Sequence, residues 1–202
     1  MKINLLEDCI LLSYDELNLE GFDCGNTDLN EFFKVDAPNY TAQLLGKTYG
    51  FALTTDPRQV VGVFTISNES IKVQDLPNSR KKKINKRIPR TKQFKSYPAT
   101  LLGRLGINKA FQGGGEGGAG DQIIDFVKYW FVDPKNKTGC RFLVVDAYNT
   151  DKVISFYKRT GFQEVFSSDE QEFEYHHTDD EFEPKKVKTR LLSFDLIQLL
   201  EK

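Results

Sequence analysis

Between Gln112 and Gly120 the chain reads QGGGEGGAG, and DQIIDFVKYWF follows directly. Six of its 15 glycines fall between Gly113 and Gly120. A glycine-dense loop that closes into an amphipathic helix constrains the fold around it. Glycine lets successive backbone N–H groups turn toward one point, and the start of a helix adds partial positive charge. Such a loop is a cradle for a phosphate. The segment ATLLGRLGI before it is apolar and β-like, so the local unit is strand, glycine loop, helix.

The remaining chain fits one α/β domain. At 202 residues it is long enough for one full core. Its 16 Phe suggest an aromatic-filled interior, and a net charge of −1 gives no global attraction to a polyanion. Charge is nevertheless sorted along the chain. From Leu76 to Gly115 there are eleven Lys or Arg and no acid, while Glu164 to Glu183 holds nine acids and no Lys or Arg. Cys9, Cys24 and Cys140 show neither disulfide nor metal spacing, which suits a reducing, cytoplasmic setting. MKINLLEDCILL is broken by Glu7 and Asp8 and lacks a signal-peptide core. No apolar run reaches the ~20 residues that span a bilayer, so no membrane role is expected. His176 and His177 have no companions at metal-ligand spacing, and no metal site is expected.

The elements read in order as follows. NTDLNEFFKVDAPNYTAQL is a helix capped by Asn26 or Thr27. TYGFALTTD and QVVGVFTISNESIKV form a hairpin around DPRQ. Residues 78–97 form a basic loop insertion. Residues 121–132 are a helix that buries Ile123, Ile124, Val127, Trp130 and Phe131. CRFLVVDAY is a strand covered on both faces. DKVISFYKRTG is a helix ended by Gly161. FQEVFS is a strand, an acidic loop covers about 167–183, and TRLLSFDLIQL is a last strand or a strand passing into helix. The order predicts an α/β (α+β) domain over 1–202, with a mixed, mostly antiparallel sheet flanked by helices.

LLGRLGI, the run from Gln112 to Gly117, and Phe156-Tyr157-Lys-Arg-Thr-Gly161-Phe162 occur in one order and at one spacing. Together they resemble the GNAT superfamily of acetyl-CoA-dependent N-acetyltransferases over about residues 48–166. Phe22-Asp-Cys24-Gly25 with Leu29 and Phe32-Phe33, and Pro98-Ala-Thr-Leu-Leu-Gly103-Arg104-Leu105, resemble a subgroup that includes the acetyltransferase toxins of toxin–antitoxin modules. Phe22, Cys24 and Gly25 read there as a structural turn. Two registers fit the loop. In the first, Gln112, Gly115 and Gly117 match the family signature and Glu116 is discordant. In the preferred second, Gly118-Ala119-Gly120 precedes Ile123 and Ile124, the loop is about three residues longer, and Glu116 faces solvent at its tip.

The resemblance implies a set of roles. A splayed strand, here Leu105, Gly106 and Ile107, would grip the pantetheine arm of acetyl-CoA. Gln112, Gly113, Gly114, Gly115, Gly117, Gly118, Ala119 and Gly120 would cradle its pyrophosphate. Asn149 would contact CoA, or else cap the next helix. Tyr157 would be the general acid that protonates the leaving thiolate; a phenol of ordinary pKa about 10 is protonated at neutral pH. The acceptor is an amine, with the aminoacyl end of tRNA as the toxin-like candidate; a small amine, a protein amine or a non-catalytic CoA-binding homologue are the alternatives. Implied partners are a ribbon-helix-helix antitoxin and a second copy of the chain. The basic stretch at 80–95 reads as a solvated loop, a tRNA-backbone clamp, or a dimer contact with the acidic stretch.

Overall fold

A computed structural model of the chain describes residues 3–90, 95–176 and 187–201. The strands follow the order β1-β2-β3-β4-β5-β7-β6 in a seven-stranded sheet. The described contacts divide the chain into two compact units, Met1–Asn68 with Leu102–Trp130 and Glu69–Leu101 with Phe131–Lys202.

The first unit opens with a four-residue helix, α1 (Leu5–Asp8), capped by the Asn4 side chain, and the strand β1 (Cys9–Ser13). β1 pairs antiparallel with β2 (Lys47–Leu53), which pairs antiparallel with β3 (Val60–Ile71). The hairpin turn is where DPRQ places it, with the Gln59 amide donating to the Asp56 carbonyl. The five residues of β1 carry too little periodicity to mark a strand in the sequence.

The helix expected at NTDLNEFFKVDAPNYTAQL forms in three pieces. Asn26 caps α2 (Thr27–Glu31) by accepting from the Leu29 amide. A π-turn follows at Phe32–Asp36, and then α3 (Ala37–Ala42). Pro38 explains the interruption: it has no N–H for the regular ladder, and the wider turn before it absorbs the mismatch. Phe32 and Phe33 from this segment, with Phe22 just before it, pack on Ala52, Val60 and Val63. Phe51, Phe64, Phe126, Tyr49 and Trp130 form a second aromatic cluster with edge-to-face contacts of 5.0–6.4 Å.

β4 (Tyr97–Ile107) belongs to both units. It leads through a 3₁₀ turn at Lys109–Phe111 and the glycine loop into α5 (Ala119–Val132). Ile123, Ile124 and Val127 are buried as the spacing predicts, whereas Trp130 and Phe131 are half-buried. Lys128 replaces them on the buried side and pairs with Asp125 at 3.0 Å.

In the second unit β4 pairs in parallel with β5 (Phe142–Tyr148) over three residues only, Ala99 to Leu101 against Phe142 to Val144. β5 pairs along its whole length with β7 (Thr189–Asp195), antiparallel. The near-continuous burial of β5 matches its apolar sequence. FQEVFS supplies only a two-residue strand, β6 (Gln163–Glu164), on β7. The last strand passes into a 3₁₀ turn at Leu196–Leu199, as read.

Two loops of the sequence reading contain helices. The basic stretch 78–97 holds α4 (Asn78–Asn85), whose Ile84 is buried among Ile71, Tyr97, Phe142 and Phe166. Ile88, beyond the end of the helix, packs on the same cluster. The acidic stretch holds α7 (Asp169–His176), anchored by Glu172 and Asp169 on Arg190. Residues 91–94 of the basic stretch, residues 177–183 of the acidic one, and His177 lie outside the described residues.

Candidate functional site

The first group of expected site residues is contiguous, from Leu105 to Gly120 in the first unit. β4 ends in Leu105, Gly106 and Ile107. Gly106 is a point of close approach: a Cβ there would lie 2.9 Å from the Phe33 ring and 3.2 Å from Cys24 Cβ. The Phe22-to-Gly25 turn thus lies on the end of β4. Lys109 fastens it, with Nζ 2.7 Å from Asp23 Oδ2 and its amide on the Asp23 carbonyl. The Lys109 ammonium, together with the Gly25 amide and Asn30, holds the Asp23 carboxyl well below the usual carboxylate range. Burial pushes the Cys24 thiol up, which leaves it a poor nucleophile.

Gln112, expected among the pyrophosphate residues, sends its side chain elsewhere. Nε2 donates to the Cys24 carbonyl at 2.8 Å and to the Ile107 carbonyl at 2.6 Å. It therefore straps the end of β4 to the Phe22-to-Gly25 turn, and its amide donates to the Lys109 carbonyl at 3.3 Å. No sequence signal predicts this, since one acceptor lies 88 residues away.

The glycine loop runs from Gly113 to Gly118, and α5 begins at Ala119. That start agrees with the longer-loop register, and Glu116 is exposed. Gly113, Gly115 and Gly117 have φ of 84°, 59° and 77°, backbone that residues with a Cβ rarely adopt. Gly114 and Gly118 meet closely: a Cβ on Gly114 would lie 2.9 Å from Gly118 Cα. Gly117 is held on both sides of its residue. Its amide donates to Asp121 Oδ2 at 2.8 Å, and its carbonyl accepts from Gln122 Nε2 at 2.9 Å. The Gly118 amide turns back to the Gly115 carbonyl. Among the described residues the amides of Gly113, Gly114, Gly115, Glu116, Ala119 and Gly120 have no protein acceptor. Those of Ala119 and Gly120 open a fourteen-residue helix, where orphan N–H groups attract anions.

The second group lies in the second unit. Tyr157 stands near the end of α6 (Asp151–Arg159). The Phe162 amide donates to the Tyr157 carbonyl at 3.0 Å and the Gly161 amide to the Lys158 carbonyl at 3.0 Å, with Gly161 at φ 90°. This is a Schellman stop, in which the residues flanking the turn touch. Here they are Tyr157 and Phe162, with ring centroids 5.5 Å apart. Phe156 lies against Tyr157 from the other side at 5.0 Å. The motif FYKRTGF is thus a device that fixes one tyrosine. Its ring is buried, its hydroxyl makes no hydrogen bond among the described residues, and burial pushes the phenol above its ordinary pKa.

Asn149 is half-buried and donates through Nδ2 to Asp169 Oδ2 at 2.8 Å and to the Val187 carbonyl at 3.0 Å. It does not cap α6; Thr150 holds that position without a side-chain bond. Asp169 also accepts from Arg190 at 2.7 Å, and Arg190 reaches the buried Glu172. Burial raises the Glu172 carboxyl in spite of its bonds from Leu191 and Arg190. This network was not visible in the sequence.

The basic helix α4 lines an open groove of about 590 Å³ with Lys81, Lys82 and Lys86, beside Asn78, Asn85 and Ile88. Those three lysines make no ion pair among the described residues. Lys83 leans the other way: Nζ reaches the Glu164 carbonyl at 3.5 Å, while the Glu164 carboxylate pairs with Lys158, the neighbour of Tyr157, at 2.9 Å. Within this unit the basic helix therefore abuts the segment that follows Tyr157. Among the described residues there is no cluster of three or more potential metal ligands, and no helix is long and apolar enough to cross a membrane.

No family model matches the chain. Solved structures do. A tyrosine-to-phenylalanine mutant of KacT superposes with a TM-score of 0.69 at 21% identity, over 96% of this chain and 99% of that one. AtaT complexed with acetyl-methionyl-tRNAfMet gives 0.69 at 24% identity, over 96% and 100%. A mutant AtaT toxin bound to the C-terminus of the antitoxin AtaR and acetyl-CoA gives 0.65 at 21%, over 97% and 100%. The chain has the fold of these toxins over nearly its whole length, which is the GNAT fold that the motifs resemble.

Proposed function

We propose that this chain is an acetyl-CoA-dependent N-acetyltransferase whose acceptor is the α-amino group of an aminoacyl-tRNA. The observation that carries the reading is the glycine loop: a row of amides without protein acceptors, ending at the start of α5, with β4 leading into it. The two units would act as one acetyltransferase domain over 1–202. Two solved neighbours of the same fold contain acetyl-CoA or acetylated tRNA.

In this reading Leu105, Gly106 and Ile107 present backbone groups to the pantetheine arm. The Ile107 carbonyl is already taken by Gln112, so the N–H groups do the gripping and polarise the acetyl carbonyl. The amides of Gly113–Glu116, Ala119 and Gly120 take the pyrophosphate. Asn149 keeps its carbonyl oxygen for a CoA contact. The amine nitrogen attacks the acetyl carbon, its proton passes to water, the C–S bond breaks, and Tyr157 donates its proton to the departing thiolate. A cysteine acyl-enzyme is disfavoured, since burial raises all three thiols, Cys9 to about 11. An α-amine has an ordinary pKa of about 7.7–8.0 and is partly neutral without a protein base; a lysine amine at about 10.4 is not. The groove lined by Lys81, Lys82 and Lys86 supports an acceptor with a phosphate backbone. By the same likeness an antitoxin would neutralise the protein, a second copy would complete a homodimer, and both would be met in the cytoplasm.

The test is acetyl transfer from acetyl-CoA to aminoacyl-tRNA, with an amine-bearing peptide and a small polyamine as rivals. Tyr157→Phe is expected to lower kcat about 100-fold while leaving the Kd for acetyl-CoA unchanged. Equal rates for Tyr157→Phe and the wild type would remove the tyrosine from the chemistry, and preference for a rival acceptor would remove the tRNA assignment.

A further inference from the structure

The side chain of Gln122 has no place in the acetyl-transfer scheme, yet all its bonds lead to one of two places. Nε2 donates to the Gly117 carbonyl at 2.9 Å and to the Ile3 carbonyl at 2.7 Å, and Oε1 accepts from the Leu5 amide at 2.7 Å. Ile3 and Leu5 are buried at 5% and 1% exposure, so the segment they belong to is fixed in the core. Gly117 sits at φ 77° in a run of glycines and has no side chain to fix it. A free loop of this composition samples many conformations, and ordering it opposes binding of any ligand.

We propose that Gln122 is a positioning residue: it hooks the glycine loop, through Gly117, to the Ile3–Leu5 segment, and so presets the cradle for the diphosphate of acetyl-CoA. The inference rests on the acetyl-CoA reading of the loop. The hook acts with Asp121, which holds the amide of the same glycine at 2.8 Å. It also makes the N-terminal segment a remote part of the cofactor site, 117 residues from the side chain that it engages. Gln122 touches no reacting atom in this scheme, so its loss weakens capture of acetyl-CoA and leaves the chemical step alone.

Gln122→Met keeps the length and removes every hydrogen bond; Gln122→Glu keeps the acceptor for Leu5 and removes the two donated bonds. Both variants are expected to raise KM for acetyl-CoA about ten-fold with kcat within about two-fold, the effect of losing two or three modest hydrogen bonds that preorganise a site. A role confined to stability would lower the melting temperature and leave KM where it was, and that result overturns the proposal. Amide hydrogen exchange gives an independent reading that needs neither catalysis nor cofactor. The Leu5 amide of the wild-type protein is expected to be protected and to lose protection in Gln122→Met; equal protection in both overturns the hook. In the wild type, addition of acetyl-CoA is expected to slow Leu5 exchange further. A wild type that binds no acetyl-CoA but shows the Leu5 difference would retain the hook and discard the cofactor reading.

Discussion

Tyr157 shows how one residue is prepared by its neighbours. Phe156 and Phe162 enclose the ring, and burial disfavours the phenolate. The folded protein therefore keeps the phenol protonated to higher pH than the unfolded chain, whose tyrosines ionise near their ordinary pKa of about 10. The stability this provides is fully present below pH 10 and declines as pH rises above it. In the proposed mechanism the same shift bears on the rate. A profile of kcat against pH for the wild type is expected to rise with deprotonation of the acceptor amine and to stay level from there to about pH 10; a fall centred near pH 8 would assign the proton to another group. At this scale the sequence was partly legible. The motif marked Tyr157, and the glycine composition marked the loop. Gln112 looked like a phosphate residue and is a strap, because its acceptors, Cys24 and Ile107, are backbone carbonyls that no pattern announces.

The elements differ in how openly they declare themselves. α5 and α6 follow from local rules: a glycine loop before one, a Schellman glycine after the other. Gly161 combines a positive φ with Phe194 ring atoms 3.1 Å from where a Cβ would stand. Gly161→Ala is expected to cost about 1–2 kcal/mol in a denaturant titration with unchanged slope, the penalty of a left-handed backbone with a Cβ. It should also lower kcat, because the same turn holds Tyr157; a variant as stable and active as the wild type would show that the turn does not set the tyrosine. α4 and α7 were hidden because what stabilises them is distant. Ile84 finds its cluster on β4 and β5, and Glu172 finds Arg190 on β7. Their local sequences, one almost all basic and one mostly acidic, read as solvated loops. β1 was hidden for a related reason: five residues become a strand only because β2 offers an edge.

For the molecule as a whole, the α/β class and the mainly antiparallel sheet were legible from the order of apolar runs, and the fold match to KacT and AtaT extends the likeness to nearly the full chain. The path of the strands was less so. β7 enters between β5 and β6, and that order depends on a pairing between residues about fifty apart in sequence. The proposed acetyl-CoA site, the glycine loop with the end of β4, belongs to this scale. Thermal unfolding with and without acetyl-CoA tests it without choosing an acceptor. At about 100 times Kd the ligand should add about 2.7 kcal/mol, which raises Tm by several degrees in a chain of this size. A clear rise that saturates with acetyl-CoA is the predicted result, and an unchanged Tm at millimolar acetyl-CoA would contradict the account.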